Sequence, residues 1–157
     1  MTQIFKALLL LIIVVGLSAA FHRPAQAVTF PVDDSRSTVL EPNLPMQWRS
    51  LSPSRGDHQV QGITRVQIKL DTRNWVGQSG RIYMALPAQP GAQVQANWRT
   101  QGPLLSGQLN SGQRGLIWSG LISTASLEDV LTVTVQTDGR SLSSAQLLRF
   151  YFEIDLP

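Results

Sequence analysis

Residue types that commonly carry out catalysis are scarce in this chain of 157 residues. The sequence contains no cysteine, which excludes thiol nucleophiles and cysteine-ligated metals. His58, one of two histidines, follows Asp57 in a stretch rich in proline and serine. The Gly-Gln-Ser-Gly segment at residues 77–80 does not match the Gly-x-Ser-x-Gly nucleophile motif, and it lies between expected strands rather than before a helix. We therefore predict that the protein is not an enzyme.

Two pairs of acidic residues could act as an acid and a base or could hold a cation. Glu128 and Asp129 fall in residues 126–129, which we expect to form one helical turn, so capping is their expected role. Glu153 and Asp155 share the polar face of the last expected strand, about 7 Å apart. A hard cation takes about six or more oxygen ligands, and no ligand loop accompanies this pair. We predict neither a metal nor a cofactor.

Four residues in one expected loop have the chemistry of a ligand site, namely Arg73, Asn74, Trp75 and Gln78. An exposed tryptophan can stack on a sugar ring or anchor a protein interface, while polar neighbours supply hydrogen bonds. The alternative is that Trp75 folds over the open end of the domain and closes it. The first interpretation predicts a carbohydrate or another small ligand at this loop.

The N-terminus has the pattern of a secretory signal peptide over residues 1–27. Lys6 precedes an unbroken apolar run of fourteen residues, 7–20, and an Ala-Gln-Ala triplet ending at Ala27 fits a cleavage site. That run is shorter than the ~18 or more residues that cross a bilayer, although a retained anchor is the alternative. We expect a mature chain that begins at Val28, has no transmembrane segment and resides in the periplasm or on the cell surface.

The mature chain has almost no net charge. Lys6 and Arg23 leave with the signal peptide, so eleven basic and ten acidic residues remain, with the basic ones spread singly along the sequence. Nucleic-acid-binding proteins carry clustered positive charge, so we expect no nucleic-acid partner. Lys69 is the one lysine left among arginines, and glutamine is abundant. This composition indicates a surface that hydrogen-bonds rather than a charged one.

Apolar and polar residues alternate from Gly62 onward, which predicts β-strands. The clearest strand places Val66, Ile68 and Leu70 on one face. Further positions expected to face inward are Ile82, Met84, Leu86, Val94, Ala96, Trp98, Leu131, Val133, Val135, Leu148, Phe150, Phe152, Ile154 and Leu156. Most runs are about six to eight residues long, shorter than strands that span a membrane. About seven strands over residues 62–157 predict an all-β domain, a single antiparallel β-sandwich with immunoglobulin-like Greek-key connections.

Local signals at the strand ends predict how some strands connect. Pro90 and Gly91 lie between the strands expected at 81–86 and 94–98, fit a type II turn and predict a hairpin. The last apolar run continues almost to the final residue, so we expect the C-terminus to be tied into a sheet.

Residues 28–61 differ from the rest because prolines at positions 31, 42, 45 and 53 interrupt them. Val28, Phe30 and Val32 nevertheless alternate with polar or small neighbours. These three form either the first strand of the protein's own sheet or an extended arm that is donated to a partner. Pro31 and the prolines behind it suit a separable segment, so we favour donation.

Together these features predict a non-enzymatic β-sandwich protein of the cell envelope. The first hypothesis is a structural or accessory subunit of a surface assembly such as a fimbria. Its partners would be other envelope proteins or copies of itself, joined by strand addition through Val28, Phe30 and Val32. The alternative is a carbohydrate- or small-ligand-binding module that uses the loop around Trp75.

Overall fold

Two antiparallel β-sheets packed face to face form the fold. The computed structural model describes residues 27–49, 58–141 and 149–157, so the expected signal peptide, apart from Ala27, lies outside the described residues. The strands are β1 Val28–Val32, β2 Thr38–Val39, β3 Gln47–Trp48, β4 Gln59–Asp71, β5 Ser79–Ala85, β6 Val94–Thr100, β7 Gly107–Asn110, β8 Arg114–Leu121, β9 Ser126–Asp138 and β10 Tyr151–Leu156. Two 3₁₀ turns, Arg73–Trp75 and Gly139–Ser141, follow β4 and β9. Within the described ranges, no helix has the length and apolar character needed to cross a membrane.

The strands follow the order of a jelly roll. The smaller sheet has the order β1-β10-β5-β8, and the larger has β4-β9-β6-β7, with the two-residue strands β2 and β3 paired to the other side of β4. Eight strands arranged as two Greek keys in two sheets define the jelly roll. The predicted antiparallel β-sandwich is therefore confirmed, with connections in jelly-roll rather than immunoglobulin order. The prediction that the C-terminus belongs to a sheet is also confirmed, because the last strand, β10, pairs with β1 and β5.

Two long strands, β4 and β9, form the centre of the larger sheet. They pair over 13 residues each, from Gln59 opposite Asp138 to Asp71 opposite Ser126. The helical turn predicted over residues 126–129 is wrong, because this segment begins β9 and continues its inward alternation with buried Leu127. Pairing with the neighbouring strand outweighs the weak local preference for a turn.

The hairpin predicted around Pro90 and Gly91 is also wrong. Strand β5 lies between β10 and β8 in the smaller sheet, whereas β6 lies between β9 and β7 in the larger one. The two strands therefore face each other across the core, about 10 Å apart. Gly91 does adopt the positive φ of 78° that the turn signal implied, but the turn belongs to a crossover between sheets.

The hydrophobic core lies between the sheets and contains the residues that alternation assigned to it. Its buried members include Ile68, Leu70, Ile82, Met84, Leu86, Val94, Ala96, Trp98, Leu131, Val133, Val135, Phe152 and Ile154, with Val66, Phe150 and Leu156 partly buried against them. Leu148 lies outside the described residues. Trp98 is 2% exposed, and its Nε1 donates to the Leu105 carbonyl oxygen at 2.8 Å. This hydrogen bond satisfies the indole N–H, which makes full burial of the ring favourable.

Strand β1 completes the smaller sheet from within the same chain. It pairs antiparallel with β10 along its whole length, and Val32 is buried. Val28 and Phe30 are 53% and 39% exposed. Pro31 is tolerated because β1 is an edge strand, where a missing donor need not break a ladder. The sequence favours donation of residues 28–32 to a partner, whereas in the structure they form an edge strand of the protein's own sheet. The expected domain boundary at Gly62 falls inside β4.

Candidate functional site

The four predicted ligand residues lie together on the connection between β4 and β5. The 3₁₀ turn holds Arg73, Asn74 and Trp75, and Gln78 Nε2 donates to the Asn74 backbone carbonyl at 3.4 Å. Arg73 donates to the Asp71 carboxylate from Nε at 3.0 Å and from Nη2 at 2.5 Å. These hydrogen bonds lower the pKa of Asp71 to about 2. Arg73 is therefore held against Asp71.

Trp75 packs against the hydrophobic core and is half-buried. Its ring covers the core at this end of the sandwich, as the alternative interpretation of the sequence describes. Arg73 is held by Asp71 and Gln78 contacts the Asn74 backbone, while the Asn74 side-chain amide forms no hydrogen bond with another described residue. The contacts of Arg73 and Gln78 stabilise the turn between the two sheets.

The acidic pair on β10 belongs to an ion-pair network. Arg114 contacts Glu153 at 3.5 Å and Asp155 at 2.9 Å, and its guanidinium carbon lies 4.2 Å from the Tyr83 ring centroid. Asp155 also accepts from Thr29 Oγ1 at 2.6 Å, and hydrogen bonds from Arg114 and Thr29 lower the pKa of Asp155. In the part of the chain that the structure describes, no three His, Cys, Asp or Glu residues group so as to hold a metal.

Asp129 is a buried carboxylate that organises the β6–β7 connection. It is 7% exposed and accepts from the backbone N–H groups of Gln101 at 3.2 Å, Gly102 at 2.8 Å and Leu104 at 2.9 Å. It therefore caps backbone donors, as expected, but those of a loop and not of a helical turn. His58 is half-buried just before β4, and the adjacent acid at position 57 lies outside the described residues.

A continuous row of amide side chains crosses the outer face of the larger sheet. Direct cross-strand pairs join Gln47 to Gln61, Gln61 to Gln136, Gln136 to Gln95, and Gln95 to Asn110. Residues directly opposite each other on neighbouring strands share a face. The residues that alternate with Gln61, Gln95 and Gln136 in β4, β6 and β9 are buried, so these three side chains and the two paired with them point outward. We call this set the amide row.

The surroundings of the amide row are polar except for the exposed Ile63, and they carry little free charge. The next row of the same face consists of Ile63, Thr134, Asn97 and Gln108. Asp138, on the other side, is ion-paired with Arg140 at 2.6 Å. Gln61, Gln95 and Gln136 are half-buried between their neighbours, and no hydrogen bond joins these three side chains to another described residue. No other described residue therefore competes with a ligand for their donors and acceptors.

The sequence contains only part of the signal for this face. Glutamine recurs at alternate positions within single strands, as at Gln59 and Gln61 in β4 and at Gln93 and Gln95 around the start of β6. Joining them into one row requires the order β3-β4-β9-β6-β7 and the register of each pair. Alternation alone determines neither.

Comparisons with known proteins do not assign a function to this chain, so the functional proposal below rests on the geometry of the structure. No protein-family model matches the chain, and no curated protein matches it. One similar solved structure is that of TmCBM61 in complex with beta-1,4-galactotriose, with 12% identity, coverage of 83% of this chain and 85% of that chain, and a TM-score of 0.24. Similarity at that TM-score carries no argument about the ligand of this protein.

Proposed function

We propose that the protein is an exported, non-catalytic binding protein of the cell envelope that binds a neutral carbohydrate on the amide row. The observation that carries this proposal is the unbroken line of amide groups across five strands. A glutamine amide has two N–H donors and a carbonyl acceptor, and a sugar hydroxyl both donates and accepts. Such a row can therefore pair with successive hydroxyl groups without requiring a charge on the ligand.

The dimensions of the amide row suit an extended oligosaccharide. Neighbouring strands lie about 4.8 Å apart, so five strands spread the amide groups over about 19 Å. Gln61, Gln95 and Gln136 are half-buried, so folding has already removed part of their rotamer freedom. Binding then costs less side-chain entropy than it would at fully exposed glutamines.

Screening of the mature protein, residues 28–157, against immobilised neutral glycans tests the proposal, followed by calorimetric titration of each glycan that binds. Gln61→Ala or Gln136→Ala should each lower the affinity about 2- to 13-fold, because one hydrogen bond contributes about 0.5–1.5 kcal/mol. Gln89→Ala, in the β5–β6 connection, is the matched control and should leave the affinity unchanged.

Three outcomes would contradict this assignment. Absence of binding to every neutral glycan would reject a carbohydrate ligand. Unchanged affinity in both Gln61→Ala and Gln136→Ala would exclude the amide row as the site. A loss confined to Gln78→Ala would instead place the ligand on the β4–β5 connection.

The free edge of β1 favours a second candidate function, that of a subunit in a surface assembly. Among the described strands, β1 has no neighbour on its outer side, and its residues Val28 and Phe30 are exposed. An exposed edge can accept a strand from another envelope protein or from a second copy. Concentration-dependent association in sedimentation velocity that Phe30→Lys abolishes would support this function. A monomer at all concentrations, with no envelope protein bound, would count against it.

Export is part of both candidate functions, and intact-mass analysis of protein isolated from the cell envelope tests it. A mass corresponding to residues 28–157 would support cleavage after Ala27. A mass that retains residues 1–27 would instead indicate a membrane anchor.

A further inference from the structure

A cavity of about 480 Å³ lies between the two sheets and opens beside the β1–β2 and β2–β3 connections. We call it the intersheet cavity. Its floor consists of core residues from both sheets, namely Ile68, Leu131, Val133, Val135, Met84 and Phe152. Its rim carries polar side chains, among them Asp34, Glu41 and Arg149. The space is therefore apolar inside and charged at its entrance.

The intersheet cavity has the size and lining of a site for an apolar ligand. Protein cores pack to a density of about 0.75 and contain few voids larger than a water molecule. A volume of about 480 Å³ lies within the ~300–1,000 Å³ typical of ligand pockets. Water is a poor occupant because it needs polar partners, and the Thr64 hydroxyl at the cavity already donates to the Glu41 carbonyl at 2.8 Å.

The charged residues at the rim indicate which head group the ligand carries. Glu41 is ion-paired with Arg65 at 3.2 Å. Burial raises the pKa of Asp34, so this carboxyl ionises less readily than an exposed one. Arg149 forms no ion pair or hydrogen bond with another described residue. An anionic group at the entrance would therefore find in Arg149 a cation that no other described residue neutralises.

We propose that the intersheet cavity binds a fatty acid, with its acyl chain on the apolar floor and its carboxylate at Arg149. The apolar volume selects the acyl chain. The Arg149 guanidinium, which no other described residue neutralises, selects a carboxylate over an amine or an alcohol. This site is independent of the amide row, which lies on the opposite face of the larger sheet.

A chain-length series tests whether the floor binds the acyl chain. Octanoate, decanoate and dodecanoate, each below its micelle concentration, are used to displace the fluorescent probe N-phenyl-1-naphthylamine from the mature protein. Each step of two methylenes should raise the affinity about 15-fold, because one buried methylene contributes about 0.8 kcal/mol. Failure of all three to displace the probe, or equal affinities across the series, would overturn the proposal.

Two substitutions block the cavity in different ways. Val133→Phe fills the floor, and Thr38→Trp adds a ring at the exposed entrance, so each should weaken dodecanoate binding at least about tenfold. Ser119→Phe adds a phenyl group to the outer face of β8 and should leave binding unchanged. If Val133→Phe does not fold, Thr38→Trp decides the outcome. Unchanged dodecanoate binding in the folded variants would exclude the cavity as the site.

The substitution Arg149→Gln tests binding of the ligand's head group separately from binding of its alkyl chain. It should weaken dodecanoate about fivefold, the effect of losing one exposed ion pair, and should leave dodecan-1-ol unchanged. Dodecylamine should bind the wild-type protein more weakly than dodecanoate. Tighter binding of dodecylamine would place the head group at Asp34 and overturn the assignment of a carboxylate ligand.

Discussion

Replacing Gly115 by alanine should destabilise the protein, because the ring of Trp98 already occupies the space that a side chain would need. A Cβ atom at Gly115 would lie 2.6 Å from Trp98 Cη2, and one at Gly107 would lie 2.7 Å from Trp98 Cζ2. Carbon atoms in contact are normally about 3.5–4.0 Å apart, so each overlap is about 1 Å. The indole is held in place, since it is 2% exposed and donates a hydrogen bond to Leu105.

Overpacking of this kind costs about 1–3 kcal/mol. For a domain of this length, that corresponds to a fall in Tm of about 3–10 °C. Trp98→Phe removes the part of the ring that overlaps with the new methyl group, although it also leaves a smaller side chain in the core. The double variant Trp98→Phe/Gly115→Ala should therefore be more stable than the sum of the single effects by about 1–3 kcal/mol.

Urea denaturation followed by circular dichroism measures all four proteins of this cycle: wild type, Gly115→Ala, Trp98→Phe and the double variant. The slope of the unfolding free energy against urea concentration should stay constant, so that changes in midpoint report stability. If Gly115→Ala unfolds within about 0.5 kcal/mol of wild type, or if the coupling energy is zero, the close packing of Trp98 against the glycines is refuted.

Further predictions concern a buried acid, an ion pair and the first strand. Asp129→Ala should lower the free energy of unfolding by about 2–4 kcal/mol in urea denaturation, because four backbone N–H groups lose this acceptor, three of them in the β6–β7 connection. The exposed Glu128→Gln should have little effect. The Asp71 carboxyl should titrate by NMR with a pKa of about 2, below its ordinary value of 3.8. Its contribution to stability is therefore fully present above about pH 4 and is lost as the pH falls through 2, and Arg73→Gln should return the pKa toward 3.8. Deleting Val28–Val32 should lower the Tm measured by calorimetry, since it removes a buried valine and exposes the edge of β10, while an unchanged Tm would support a donated arm.

Inward-facing positions could be predicted from the sequence because they depend on a period of two within each strand. Leu70, Ile82 and Ile154 alternate with polar neighbours, and each is fully buried. Burial of one face requires a second sheet to cover it, so the alternation also predicts a sandwich. These features are local in the chain.

Strand partners could not be predicted, because they are set by contacts between distant residues. Pro90 and Gly91 specify a turn equally well in a hairpin and in a crossover between sheets. The residue opposite Gln95 in the sheet is Gln136 on one side and Asn110 on the other, and nothing within β6 indicates either. The amide row, the network around Arg114 and the intersheet cavity all depend on such pairings, so the pattern within single strands gives only fragments of them.

The two proposed sites lie back to back on β9, which allows their effects to be separated. Val133 and Val135 line the intersheet cavity, whereas Thr134 and Gln136 lie on the face that carries the amide row. Gln136→Ala should therefore weaken only glycan binding, and Val133→Phe should weaken only dodecanoate binding. Loss of both ligands in one variant would indicate that β9 is distorted, because a single side chain on a strand reaches only one face of the sheet. Selective losses in the two variants would assign each ligand to its own face.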